Sequence, residues 1–428
     1  SPENSKQSTL ILRSKVYILT KIAHVLSSEI ATTFANQLAS ALENSKETNV
    51  ERITIFGEGL WMLLHTNQVT NSAVLRGCGA KALVRAMENP SETNLFLLSK
   101  LSVGLGKLTR QLESTNSAVL KERGANALAK AMENSKETNL FVLSGVGIEL
   151  GRLTPQTGGI KVLEIAKRGA NVLIHAMERP TAGSSFWLWK LGEAVGNLAE
   201  RIDATNASLI AGRAAAALVT GLEESKEEET MLTLSSGENF KPKVSDRVSR
   251  LNLALGKLLM RINSADRTKL INRVNEILLN VQGRSIDATI CVSLVALWEN
   301  SAYQGQQPYL QRLKGVVEAT FQKPGNSRED IRYLGLSKVL LGRMTKMPSA
   351  AESAREGIAQ FLSGSAPENS DEHAKDVREM LDVLFNPGVK ETVVEYLIKQ
   401  LKLHAAAKPE DKELVSNIIA ELEKPLSK

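Results

Sequence analysis

The phrase Ala-Leu-Glu-Asn-Ser-Lys-Glu-Thr-Asn, from Ala41 to Asn49, decides the architecture of this chain. It returns almost unchanged over 86–94 and 131–139, and weaker copies begin at Ala176 and Gly221. Each copy starts 45 residues after the one before. A fixed period of this length is typical of stacked helical repeats, in which each unit buries its apolar face against its neighbours. The 428 residues therefore predict about nine units in one elongated array.

Each unit opens on a helix-capping motif. In the unit that begins at Asn89, residues 89–92 combine an N-cap asparagine, a proline at the first helical position and a glutamate three residues after the cap. Leucines then recur at helical spacing from Leu95 to Leu108. A second capping signal at Thr115 leads into a short helix, which Gly124 is expected to end.

Alignment of the copies at 45-residue spacing separates predicted core from predicted surface. A recurrent glycine within the long helix costs about 1 kcal/mol relative to alanine, so we interpret it as a site of close packing, with a hinge as the alternative. These glycines are Gly106, Gly151, Gly196 and Gly256. The predicted core columns are Ala35, Ala80, Ala125, Ala170 and Ala215; Leu38, Leu83, Leu128, Leu173 and Leu218; Leu63, Leu108, Leu153 and Leu198; and Phe96, Phe141 and Phe186.

The motif Gly-Ala-x-x-Leu occurs at Gly79, Gly124 and Gly169, and a turn, a long helix and x-Leu-Gly-x-Leu follow it. This pattern resembles the armadillo repeat, which has three helices per unit with a glycine between the first two, and the HEAT repeat is a close competitor. The resemblance extends from about Ala31 to Leu222. It implies an all-α fold, a right-handed superhelical α-solenoid of about nine armadillo/HEAT-like repeats of 45 residues.

The period also divides the chain. We predict regular repeats over 1–229, an inserted flexible loop over 230–246, and degenerate helical repeats with a C-terminal cap over 247–428. The insertion is about 15 residues long, because the Gly-Lys-Leu signature resumes at Gly256, where a strict period predicts position 241. Beyond it, helices are predicted over 286–298, 310–321, 331–344, 353–362, 377–385, 392–403 and 410–422.

The composition and the motif content of the chain exclude several classes of function. No run of about 18 apolar residues is present, so we expect no membrane span. The two cysteines, Cys78 and Cys291, cannot build a disulfide framework, which favours a reducing compartment such as the cytoplasm; delivery to another compartment or a host cell stays open. No metal-ligand, phosphate-loop or nucleophile motif is found. We therefore expect a monomer without catalytic activity, cofactor or metal.

The residues that directly follow the helix glycines form the first candidate site. In the armadillo family the third helix lines the concave groove, and an asparagine there clamps an extended peptide. Only Asn197 preserves that asparagine, and Glu193 stands where the family has its paired tryptophan, which argues against clamping of the nuclear-import type. Four of the five positions are basic and indicate an acidic partner; alternatively they are ordinary solvated helix faces. The column is Lys107, Arg152, Asn197, Lys257 and Arg343.

Trp189 is the sharpest exception to the repeat, because Thr54, Ser99 and Ser144 occupy the same column. Exposed tryptophan is enriched among interface hot spots, so Trp189 is a predicted contact for a partner protein. Glu193 and Asn197 follow at helical spacing on the same face and are predicted contacts with it. The alternative is that it fills a local packing defect.

A second basic stripe, expected to face solvent, contains Arg123, Lys130, Arg168 and Arg213. We favour a non-catalytic scaffold that binds an acidic or amphipathic partner segment in its concave groove. Binding of nucleic acid or a phosphate ligand along the basic columns is the alternative. An enzyme site in the C-terminal half is a third hypothesis.

Overall fold

A computed structural model of the chain shows helices throughout the part that it describes, apart from one pair of two-residue strands. The described residues are 11–18, 22, 25–43, 49–66, 69, 71–89, 94–110, 112, 114–155, 159–179, 187–224, 232–233, 239–240, 244–279, 288–303, 307–323, 325–345, 350–363, 370–385 and 387–424.

Most helices begin and end close to the positions that the sequence predicts. A first helix, α1, covers 11–18. The others are α2 (Ser28–Glu43), α3 (Val50–Thr66), α4 (Ser72–Met87), α5 (Leu95–Thr109), α6 (Ser114–Asn134), α7 (Leu140–Leu153), α8 (Ile160–Met177), α9 (Leu188–Ala199), α10 (Ala204–Glu224), α11 (Val244–Leu259), α12 (Ser264–Leu279), α13 (Ala288–Asn300), α14 (Gln307–Phe321), α15 (Arg328–Thr345), α16 (Ala350–Ser363), α17 (Ser370–Leu384), α18 (Pro387–Ala407) and α19 (Lys412–Leu422).

The predicted loop over 230–246 lies mostly outside the described residues. Its described part holds strand β1 (Leu232–Thr233), which pairs antiparallel with β2 (Asn239–Phe240) so that Leu232 lies opposite Phe240. Helix α11 begins at Val244, before the end that the sequence predicts for this loop.

The chain divides into two compact units. Unit 1 comprises Ser1–Arg179 and Glu193–Ile210, and unit 2 comprises Pro180–Gly192 and Ala211–Lys428. In unit 1, helices α3, α5 and α7 pack side by side as layer A, and α2, α4, α6 and α8 pack side by side as layer B. Each helix from α2 to α7 also contacts the helix that follows it. This sequential two-layer packing confirms the predicted all-α solenoid; the handedness stays a prediction.

Each regular repeat has two helices rather than the three of the armadillo pattern. Helix α6 runs from Ser114 to Asn134 without interruption, so Gly124 does not end a helix as expected. A Cβ on Gly124 would lie 2.4 Å from Leu105 Cδ2 and 3.4 Å from Leu153 Cδ1. The glycine therefore leaves room for leucines from two layer A helices to approach α6 closely.

The expected close packing holds for only some of the glycines that recur within the long helix of each repeat. A Cβ on Gly256 would lie 2.8 Å from Asn300 Cβ, which is close packing, and one on Gly151 would lie 3.3 Å from Asn197 Cβ. A Cβ on Gly106 would meet nothing within 4 Å. Close packing is therefore the wrong explanation for Gly106.

The Ala and Leu columns predicted as core are all buried, whereas the Phe column is not. Phe96 and Phe141 are 47% and 42% exposed, and Phe186 lies outside the described residues. Asn94 caps α5 by accepting a hydrogen bond from the Phe96 amide. Leu95 then takes the buried face, and the next residue, about 100° further round the helix, points out of the layer.

Unit 2 follows the same two-layer packing and then departs from it. Helices α11, α13 and α15 form its layer A, and α15 packs closely on α16. Helix α17 then returns to contact α11. It is also tied to α13, because Asn300 Nδ2 donates to the Leu384 carbonyl at 2.8 Å. The final helix, α19, buries Val415, Ile418 and Leu422 against the rest of the unit.

Candidate interaction site

The second basic stripe is held in ion pairs between neighbouring layer B helices. The Arg123 guanidinium donates to both Glu88 carboxylate oxygens, at 2.9 and 2.6 Å. Arg168 binds both oxygens of Glu133 in the same way, with Nε at 2.8 Å from Oε1. The two residues of each pair are 35 positions apart. Both arginines keep contact with solvent, as expected, since 46% of the Arg123 side chain and 28% of the Arg168 side chain are exposed. The 45-residue period also places a glutamate beside each of them, which the sequence analysis did not foresee.

The same pairing continues in unit 2. Arg273 binds Glu223 at 2.9 and 2.5 Å, across 50 positions. This separation equals the usual 35 residues plus the insertion of about 15. In the first repeat a thiol takes the arginine position: burial, and then a hydrogen bond with Glu43, raise the pKa of Cys78. Of the other stripe residues, Lys130 is exposed and Arg213 is half-buried.

In unit 1, the predicted basic column is also engaged with neighbouring side chains. Lys107 Nζ lies 4.2 Å from the centre of the Trp61 ring. Arg152 Nη1 donates to Glu149 Oε1 at 2.5 Å, although 68% of the Arg152 side chain is exposed. Burial raises the pKa of the Glu149 carboxyl, with Arg152 acting in the opposite direction. Asn197 and the predicted contact residue Glu193 are both half-buried.

Glu149 is a residue that the sequence analysis missed. Gly59, Gly104 and Ala194 occupy the same column, so a carboxylate stands where the repeat otherwise has a small residue. That substitution was the available signal. Because the Glu149 carboxylate is buried, it needs a partner that compensates for the lost contact with water, and Arg152 provides this ion pair.

In unit 2, Arg343 is enclosed by polar and aromatic groups. Its Nη2 donates to Thr392 Oγ1 at 3.4 Å, its Nη1 lies 3.6 Å from Glu299 Oε2, and its guanidinium lies 5.7 Å from the Tyr396 ring centre. Burial raises the pKa of both Glu299 and Tyr396. Lys257, in the same predicted column, is half-buried.

Trp189 is half-buried rather than fully exposed. The Arg250 guanidinium lies 4.7 Å from its ring centre, and Lys190 Nζ lies 5.5 Å from it. The indole Nε1 is shielded from solvent and has no hydrogen-bond partner among the described residues. Trp189 therefore serves as a platform for two cations, one of which comes from another helix.

These two cations belong to a column that sequence reasoning missed. Lys100, Lys190 and Arg250 are in register once the 15-residue insertion is allowed for. Each lies over an aromatic ring: Lys100 is 4.4 Å from the Phe96 ring centre, and Lys190 is 4.8 Å from that of Trp187. The available signal in the sequence was that Lys100 and Lys190 each come directly after a position of the Trp189 column.

Arg250 connects Trp189 to a cavity in unit 2. The cavity has a volume of about 430 Å³ and lies among helices α11, α13, α15 and α17. Its existence depends on the return of α17 towards α11, which no periodic pattern predicts. The lining residues are Arg250, Thr289, Val292, Glu329, Arg332, Tyr333, Asp376, Glu379, Met380 and Leu384.

The charges in this cavity are only partly compensated. Arg332 Nη1 lies 3.7 Å from Asp376 Oδ2, and the Tyr333 hydroxyl donates to Glu329 at 3.0 Å. Within the part of the chain that the structure describes, Glu379 forms no hydrogen bond or ion pair, and Arg250 contacts only an aromatic ring. The cavity thus keeps one carboxylate available for a ligand.

The described residues hold neither a cluster of metal ligands nor a membrane-spanning helix. No group of three or more His, Cys, Asp or Glu side chains there is placed to hold a metal ion. No helix in the described ranges is long and apolar enough to cross a membrane. Both cysteines are free thiols.

Comparison with known proteins gives little further guidance. No protein-family model and no curated protein matches the chain. Among solved structures, a circular tandem repeat protein with novel repeat topology and enhanced subunit contact surfaces aligns with 99% of this chain and 89% of its own, at 14% identity and a TM-score of 0.20. A TM-score this low supports no argument, so the fold rests on the helix contacts described above.

Proposed function

We propose that the protein is a non-catalytic protein-binding scaffold. Its layer A side in unit 2 would dock an amphipathic segment of a partner protein at Trp189, Arg250 and the adjoining cavity. The observation that carries this proposal is the stacking of Arg250 on Trp189 at 4.7 Å, directly beside a cavity of about 430 Å³. Aromatic and arginine side chains next to a pocket are the usual composition of interface hot spots.

The charge distribution supports an amphipathic rather than a purely acidic partner. Arg152 is paired with Glu149 and Arg343 lies beside Glu299, so the basic column does not present a row of uncompensated cations. The same reasoning weakens the nucleic-acid alternative, because Arg123 is bound by a carboxylate. An affinity dominated by phosphate contacts requires cations that can release counterions.

Affinity purification with quantitative mass spectrometry tests the proposal. The full-length chain and its Trp189→Ala/Arg250→Ala variant serve as baits. The matched control is Phe96→Ala/Lys100→Ala, which removes a comparable aromatic–cation pair from unit 1. A partner lost from the first variant and kept by the control supports the proposal. The affinity for that partner is then measured by calorimetry with the purified proteins, after circular dichroism has shown that both variants are folded. An identical partner set for all three baits would overturn the proposal.

The proposal includes action as a monomer in the cytoplasm. The proposed compartment rests on the two cysteines, Cys78 and Cys291, which are both free thiols in the structure. Imaging of a tagged full-length chain in its source cells checks the compartment, and sedimentation analysis of the purified protein checks the monomer.

A further inference from the structure

We infer that the cavity in unit 2 receives the basic side chain of a lysine or arginine from the partner segment. The charged head would pair with Glu379, and the aliphatic stem would lie on Met380 and Leu384. This inference rests on the proposed function and names the chemistry of the group that the site recognises.

The balance of charge in the cavity favours a cation. Three carboxylates and two guanidiniums line it, so the net charge of the lining is negative. Of these groups, Arg332 is committed to Asp376, and Glu329 accepts the hydrogen bond from Tyr333. A ligand cation therefore meets an available carboxylate on α17, at Glu379.

The position of Arg250 fixes the direction of the ligand. A basic head would be repelled by Arg250 on α11, which already lies over the Trp189 ring. The head is therefore directed towards the α17 side of the cavity, where Glu379 and Asp376 both lie. An anionic group in the same place would face the carboxylates of Glu379 and Asp376.

The size and the apolar part of the lining fit a long basic side chain. The volume of about 430 Å³ lies within the usual range for small-ligand sites, roughly 300–1,000 Å³. Met380 is half-buried and Leu384 keeps 7% of its surface exposed, so these two side chains offer apolar surface next to the charges of the cavity. Lysine and arginine cover such surface with their methylene groups while the charged head stays in a polar environment.

The test uses small probes in place of the unidentified partner. N-acetyl-L-arginine amide is titrated into the full-length protein labelled with ¹³C at the methionine methyl groups, and N-acetyl-L-citrulline amide serves as the neutral isostere. Met380 lines the cavity, and its signal is assigned by Met380→Leu. Met132, buried in unit 1, is the internal reference. We expect the arginine probe to shift the Met380 signal in a saturable way and the citrulline probe to bind several-fold more weakly.

Variants localise the effect to the carboxylate. Glu379→Gln is expected to weaken the arginine probe about three- to five-fold, as for an exposed ion pair, and to remove its advantage over citrulline. Glu391→Gln, an exposed glutamate on α18 outside the cavity, is the matched control and leaves both probes unchanged. Equal binding of the two probes, an unmoved Met380 signal, or preference for N-acetyl-L-aspartate amide would each overturn the inference.

The two proposals fail separately. If the partner depends on Trp189 and Arg250 while the arginine probe leaves Met380 unmoved, the basic-anchor inference is wrong and the scaffold proposal stands. If the arginine probe binds through Glu379 but no partner depends on Trp189 and Arg250, the cavity preference stands and the scaffold proposal is wrong.

Discussion

Gly335 on α15 and Gly357 on α16 lie against each other where the two helices cross. A Cβ built on either glycine would be 2.9 Å from the carbonyl oxygen of the other. A Cβ on Gly335 would also be 2.5 Å from the Phe361 amide nitrogen. The two helices therefore pack backbone against backbone, and this contact fixes the helix that supplies Arg332 and Tyr333 to the cavity.

Gly335→Ala is expected to lower the free energy of unfolding by about 1–3 kcal/mol or more. The added Cβ would meet the backbone of α16, which cannot move aside as the tip of a side chain can. The measurement is the midpoint of urea-induced unfolding, followed by circular dichroism.

Gly315→Ala on α14 is the matched control for this glycine. A Cβ there meets nothing within 4 Å, so the substitution should be neutral or should stabilise the helix by up to about 1 kcal/mol. If both alanine variants unfold at the same urea concentration, the α15–α16 crossing is not as close as described.

The pairing of Arg168 with Glu133 should contribute little at neutral pH and should vanish in acid. Since more than a quarter of each side chain is exposed, a double-mutant cycle is expected to give a coupling of about 0.5 kcal/mol. The hydrogen bond from Arg168 lowers the pKa of Glu133. The stabilisation from this ion pair is therefore fully present above the unfolded-state pKa of glutamate, about 4.3. It is lost as the pH falls through the lower folded-state pKa of Glu133.

Lys130→Ala tests whether this effect belongs to the pair. Lys130 lies in the same stripe and is exposed, so its removal should leave both stability and its pH dependence unchanged. A coupling between Arg168 and Glu133 that persists at pH 2 would contradict the assignment.

The fold was largely predictable because the period acts on many residues at once. All fourteen Ala and Leu positions assigned to the core columns are buried. Errors arose where one residue type has two physical explanations. Gly124 was expected to end a helix, yet it admits Leu105 within a continuous helix. The local sequence is compatible with either arrangement, and only the neighbouring helix decides.

The site was predictable only where a residue breaks its column. Trp189 and Asn197 stood out for that reason. Arg250 would have been found as a member of the basic column of Lys100 and Lys190 if the insertion had been counted. The cavity itself was not predictable. It arises from the return of α17 towards α11, and Glu379 belongs to a segment without a recognisable period. Side chains that meet through such a contact leave no mark in the spacing of the sequence.

Glu149→Gln should remove a pH dependence of stability that is opposite in sign to that of Glu133. Burial raises the pKa of Glu149, so the folded state holds this proton more tightly than the unfolded state. The wild-type protein should therefore lose stability as the pH rises from about 4.3 through the raised folded-state pKa. The glutamine variant lacks that proton and should show a flatter profile, measured as urea midpoints between pH 4 and 8. Matching slopes for the two proteins would contradict a buried, proton-binding Glu149.

Gly106→Ala and Gly169→Ala should act in opposite directions, although both glycines lie within helices of regular repeats. A Cβ on Gly106 has open space around it, so alanine should add up to about 1 kcal/mol through its higher helix propensity. A Cβ on Gly169 would lie 2.1 Å from Leu150 Cδ2, so alanine must displace a fully buried leucine and should cost about 1–3 kcal/mol. Thermal and urea unfolding of the two variants provide the comparison. A stabilised Gly169→Ala would mean that Leu150 can repack, and the glycine would then have no structural role in the approach of the two layers.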